Sequence, residues 1–69
     1  AMGRRLGRHE RLEIRRRAHE DYLRRAHGPS YTLRIERGEA VIRGVWGGLV
    51  VRMPKDALWD PDALSKRGF

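Results

Sequence analysis

The Gly28-Pro29 pair divides this chain into two segments that cannot share one type of secondary structure. Before it, apolar residues recur at the 3.6-residue spacing of a helix; after it, they alternate with polar residues as in strands. Leu12, Ile14, Ala18, Tyr22, Leu23 and Ala26 fall within one half of a helical wheel, so residues 9–27 read as a single helix. Glycine accepts the left-handed conformation that ends a helix, and proline cannot continue its ladder, so the helix stops there. Three acid-first pairs spaced i to i+4, Glu13–Arg17, Glu20–Arg24 and Asp21–Arg25, are expected to support it.

Beyond the break, Gly38-Glu39 and Gly47-Gly48 punctuate three alternating runs. These are read as strands over 31–37, 40–46 and 49–53, joined by two-residue turns into an antiparallel meander. Pro54 ends the last strand because it has no N–H to donate. Asp60-Pro61-Asp62 supplies a cap, a first-turn proline and an early acid for a short helix that follows. The expected fold is α+β: an N-terminal helix packed on a three-stranded antiparallel meander, with a short C-terminal helix. Residues 9–69 form the single small domain, and residues 1–8 are expected to be a flexible basic arm. Ala1-Met2 reads as an expression scar and is set aside.

Size and composition narrow the function. A chain of 69 residues buries only about 60% of its unfolded surface, so its core is thin and a deep cofactor pocket is not expected. There is no cysteine, which removes disulfides, thiolate catalysis and every cysteine-containing metal site. No apolar run approaches the roughly 18 residues of a membrane span, and no secretory pattern is visible, so a cytoplasmic protein is expected. His9, His19 and His27 lie on different sides of the helix and cannot converge on one ion. A non-enzymatic protein without metal or cofactor is therefore expected.

The net charge is +7, and fourteen of the sixteen basic residues are arginine, the side chain best suited to bidentate contact with phosphate. Segment by segment the charge is +5 over 1–27, +2 over 28–53 and zero over 54–69. With two-residue turns at Gly38-Glu39 and Gly47-Gly48, Arg34, Arg43 and Arg52 would face one another in a cross-strand row. The opposite face would carry Tyr31, Leu33, Ile35, Ile42, Trp46, Leu49, Val51 and Met53 against the helix. Like charges opposite each other destabilise a sheet, so such a row calls for compensation. A polyanion lying across the face would supply it. Arg4, Arg5 and Arg8 of the arm, and Arg15, Arg16 and Arg17 of the helix, would add phosphate contacts.

A second reading uses the same face. Val41, Val45 and Val50 beside the arginines make an amphipathic surface suited to an acidic protein partner or a homodimer, and His19, on the buried side of the helix, is read as an interface or core-edge residue. The blander alternative is a solvated face on which Glu36 neutralises part of the row and arginine stems cover the valines. A third reading, a small ribonuclease-type toxin, would have only His19, Glu20 and the sheet arginines for acid-base work. Gly44 within the second strand is expected to let Trp46 or the helix approach closely, and Trp46 and Trp59 are read as core or edge aromatics.

The stretch Val45-Trp46-Gly47-Gly48-Leu49-Val50-Val51-Arg52-Met53-Pro54-Lys55-Asp56-Ala57-Leu58 resembles the Trp-Gly, apolar, Val-Arg-Ile-Pro-Lys signature of AbrB/MazE-type swapped-hairpin antitoxins. In that family the motif opens the domain, whereas here a helix and two strands precede it, and one residue is missing between the glycine and the apolar run. The resemblance implies a dimeric DNA-binding antitoxin with Arg52 near the DNA.

Overall fold

A computed structural model describes residues 7–69 and shows the expected α+β architecture: helix α1 (Arg8–His27), strands β1 (Thr32–Glu36), β2 (Glu39–Arg43) and β3 (Leu49–Pro54), and a short helix α2 (Ala63–Lys66). The strands form one antiparallel sheet in the order β1-β2-β3. Two 3-10 segments that the alternation did not predict, Val45–Gly47 and Lys55–Trp59, precede and follow β3. The arm expected over residues 1–8 lies mostly outside the described residues, together with Arg4 and Arg5; Gly7 caps α1, and Arg8 belongs to the helix. No described helix is long and apolar enough to cross a membrane.

α1 ends where the sequence requires. Gly28 takes φ 135°, and its N–H returns to the carbonyl of Arg24 at 2.9 Å, leaving the chain free to turn at Pro29. The buried side of the helix carries Leu12, His19 and Leu23, whereas Ile14 and Tyr22, placed on that side by the wheel, are exposed. The stripe facing the sheet is thus narrower than half a wheel. Leu23, Leu33, Ile42, Met53, Leu58 and Leu64 are almost wholly buried, each stabilising the fold by about 1.5–3 kcal/mol. Leu58 comes from the 3-10 segment after β3 and Leu64 from α2, so the C-terminal residues complete a core that α1 and the sheet leave open.

The strand pairing corrects the expected register. The first turn is centred on Arg37-Gly38, not Gly38-Glu39, with Glu36 opposite Glu39, Arg34 opposite Val41 and Leu33 opposite Ile42. Both central residues have positive φ, 51° at Arg37 and 78° at Gly38, as a hairpin turn matched to strand twist requires. In β3, Arg52 also faces Val41, and the register steps between the pairs Ile42–Val51 and Arg43–Leu49. Val50 is the extra residue of a bulge.

The three arginines therefore do not form a row. Val41 separates Arg34 from Arg52, while Arg43 is displaced toward Thr32 and Leu49. This register avoids two arginine–arginine oppositions and sets Glu36 and Glu39, themselves opposite one another, within reach of Arg43 and Arg52.

The sheet edges differ. At the outer edge of β1, the N–H of Leu33 donates to Glu20 at 2.9 Å, and its carbonyl accepts from Arg16. Arg24 Nε adds a bond to the carbonyl of Tyr31 at 3.1 Å. The outer edge of β3 is bulged at Val50, carries Arg52 and is ended by Pro54, features that discourage strand addition.

Candidate nucleic-acid interface

On the sheet face turned away from α1, two of the three arginines are already engaged. Arg43 makes a two-pronged contact with Glu36, Nη2 to Oε1 at 3.2 Å and Nε to Oε2 at 3.4 Å. Arg52 Nη2 meets Glu39 Oε1 at 2.6 Å. The Arg43 guanidinium, with Arg34 and Arg37 nearby, holds the Glu36 carboxyl below its usual pKa. Val41 is only 4% exposed, in a shallow depression shared with Arg43, Leu49 and Arg52. It is therefore not the accessible interface residue expected. Arg34 and Arg37 make no ion pair among the described residues and keep their charge available.

The basic cluster of α1 is likewise divided. Arg16, expected among the phosphate contacts, is 16% exposed and bonds to Glu13, Glu20 and the Leu33 carbonyl. Its contact with Glu13, reinforced by its charge, holds that carboxyl below the usual range. Of the three pairs expected on the helix, Glu20–Arg24 forms, at 3.9 Å. Glu13 pairs with Arg16 at i+3 instead. Arg8 reaches Asp56 at 3.7 Å and lies over the half-buried Trp59 ring, 5.9 Å from its centroid.

Arg11, Arg15, Arg17 and Arg25 make no ion pair among the described residues. Arg11, Arg15, Ala18, Tyr22 and Arg25 follow at steps of four, three, four and three residues, which is one stripe along a helix. Glu13 and Glu20 lie on the other flank, beside β1; Asp21 stands beside the stripe one turn from Arg25, and Asp62 lines the same depression as Arg15, but neither pairs with a stripe arginine among the described residues. On sequence alone, phosphate contacts are assigned to Arg15, Arg16 and Arg17 and not to Arg11 or Arg25. The spacing was present in the sequence; which arginines the sheet would engage was not.

His19 is 6% exposed, and its Nε2 sits 2.9 Å from the Leu58 carbonyl. It joins α1 to the segment after β3 at the edge of the core, the second of its two expected places, and does not face an interface. Glu20, the other acid-base candidate, bonds to Arg16 and Leu33. Among the described residues no three His, Asp or Glu side chains come together as a metal site.

The loop between β2 and β3 also departs from the expected two-residue turn. Trp46 is not in the core: the chain leaves the sheet at Gly44, and Trp46 is 98% exposed at the tip. Val45, Leu49 and Val50 are exposed around it, so Leu49 also leaves the expected core face. Three backbone bonds fix the loop: Gly44 N–H to Gly48 at 2.9 Å, Gly47 N–H to Gly44 at 3.1 Å and Gly48 N–H to Val45 at 3.4 Å. Arg43 Nη1 braces it with a bond to the Gly47 carbonyl at 3.2 Å. The close approach at Gly44 is made by Val50 and Tyr31, which an added Cβ would meet at 3.3 and 3.5 Å, and not by Trp46 or the helix.

No protein family, curated protein or solved structure matches the chain. The antitoxin-like stretch corresponds to the β2–β3 loop, β3 and the following 3-10 segment, so it closes this sheet instead of opening it.

Proposed function

We propose that this is a non-enzymatic nucleic-acid-binding domain, a small cytoplasmic regulator, whose phosphate contacts centre on the Arg11–Arg15–Arg25 stripe of α1. The observation that carries the reading is the distribution of ion pairs. Acids of the fold engage Arg16, Arg24, Arg43 and Arg52, while the stripe arginines and Arg34 keep uncompensated charge in water. Arg17 adds to that positive field, and Arg4 and Arg5 add charge outside the described residues. Phosphates would exchange with Glu36 and Glu39 for Arg43 and Arg52, making the sheet a weaker second surface. Release of condensed counterions supplies affinity to such a surface.

The test is a salt titration of binding to a labelled duplex. Replacing Arg11, Arg15 and Arg25 by alanine should flatten log affinity against log salt by about 0.9 for each phosphate that is no longer neutralised. An unchanged slope in a folded triple variant would remove the stripe from the binding surface. Failure of the wild type to bind either duplex or single strand would end the reading.

The exposed Val45, Trp46, Leu49 and Val50 favour a second reading, docking on an acidic protein or a second copy. It predicts a stoichiometric complex that survives nuclease treatment.

A further inference from the structure

Trp46 gains almost nothing from folding. At 98% exposure it buries neither face of its ring, and its backbone sits at φ 67°, where a side chain is disfavoured relative to glycine by roughly 1–2 kcal/mol. Neither packing nor backbone preference accounts for a tryptophan at this position. The loop nevertheless fixes its Cα with three backbone bonds and the Arg43 brace.

We propose that Trp46 is a stacking platform for an unpaired nucleobase, which makes single-stranded nucleic acid the ligand class of this domain; the proposal rests on the nucleic-acid reading above. An indole open on both faces can take a base on either. A base within a duplex has its faces occupied by its neighbours and cannot offer one without unstacking.

The surroundings match this ligand. Arg43 stands at the base of the loop, bonded to the Gly47 carbonyl and paired with Glu36, and a passing sugar–phosphate chain would take that guanidinium in exchange for Glu36. Aromatic residues collect at the same end of the molecule. Tyr31 packs against Gly44, and its ring lies 5.6 Å from His27, whose own ring is 5.6 Å from Phe69. A net charge of +7 favours a polyanion over a second copy of the same chain. A broad protein-docking face is also lacking on the outer sheet, because Val41 is buried and acid–arginine pairs occupy the surface around it.

The experiment compares two labelled probes of equal length and charge, an oligothymidylate and an abasic deoxyribose-phosphate oligomer. The full chain should bind the oligothymidylate about 5- to 160-fold more tightly, the range expected for one stacked base. Trp46→Ala should close that gap without changing the affinity for the abasic probe, and Trp46→Phe should retain most of it. In a Trp59→Phe background, fluorescence of the single remaining tryptophan should fall on adding oligothymidylate. Equal wild-type affinity for both probes, or a gap that survives Trp46→Ala, overturns the stacking proposal and leaves the nucleic-acid reading standing. Failure of the wild type to bind either probe or a duplex overturns both. Loss of a nuclease-resistant protein complex on Trp46→Ala, with no difference between the probes, would reassign the tip to protein docking.

Discussion

Glu20 on α1 accepts the backbone N–H of Leu33 at 2.9 Å, and one turn earlier Arg16 donates to the carbonyl of the same leucine while bonding to Glu20 itself. The helix thus occupies both outward backbone groups of one residue on β1, in place of a neighbouring strand. Removing Arg16 would leave the half-buried Glu20 carboxylate and the Leu33 carbonyl short of a donor. Arg16→Ala should cost about 1.5–3 kcal/mol, the range for hydrogen bonds to charged groups, read from urea denaturation. Arg16→Lys should recover little of that stability, because an ammonium cannot reproduce the planar fork.

Arg37 holds φ 51° at the first central position of the β1–β2 turn. Asparagine tolerates that region far better, and Asn-Gly is the preferred pair for this turn type. Arg37→Asn should stabilise the domain by about 0.5–1 kcal/mol, seen as a rise in Tm of roughly 2–8 °C for a domain of this size. An unchanged or lower Tm would show that the arginine carries no backbone strain.

Glu36 and Glu39 hold Arg43 and Arg52 in ion pairs. Replacing both acids by glutamine should release two arginines, raise affinity for nucleic acid and steepen the salt dependence by up to about 0.9 per new duplex phosphate contact. If the sheet lies outside the binding surface, the slope will stay where it was.

Acid should destabilise the fold in a defined direction. The carboxyls of Glu13, Glu36 and Asp60 lie below their usual pKa, held by hydrogen bonds from Arg16, Arg43 and Lys66 respectively, with the Asp62 N–H also bonded to Asp60. A depressed folded-state pKa gives stability that is complete above the ordinary carboxylate value of about 4 and disappears as pH falls through the lower folded value. Urea midpoints should be flat from about pH 6 to 5 and should decline below about pH 4, and Glu36→Gln should make that decline shallower.

Local rules made the element order legible. Gly28-Pro29 ends α1 because its conformational limits do not depend on context, and Pro54 ends β3 for the same reason. Two-residue alternation assigns Leu33, Ile35, Ile42, Val51 and Met53 to the core side of the sheet, where they are found. Those face assignments survive the change of register because each partner moves by two residues, and a shift of two preserves the face. The turn lies one residue earlier than expected because Arg37, a non-glycine residue, takes a positive φ. Trp46 and Leu49 leave the core because the loop begins at Gly44 and the bulge at Val50 breaks the alternation.

The sequence by itself determined the order of the two helices and three strands, where the first helix stops and how the positive charge divides along the chain, since these depend on residue identity and near neighbours. Only the tertiary structure decided which charges remain available. Arg16 and Arg11 are chemically identical and lie on opposite flanks of the buried stripe of α1; packing against β1 engages the first and leaves the second in water. The same holds at the sheet, where cross-strand register couples Arg43 to Glu36 and Arg52 to Glu39. Ion pairing and exposure depend on contacts between residues distant in sequence, and those contacts exist only once the helix has docked and the register is fixed.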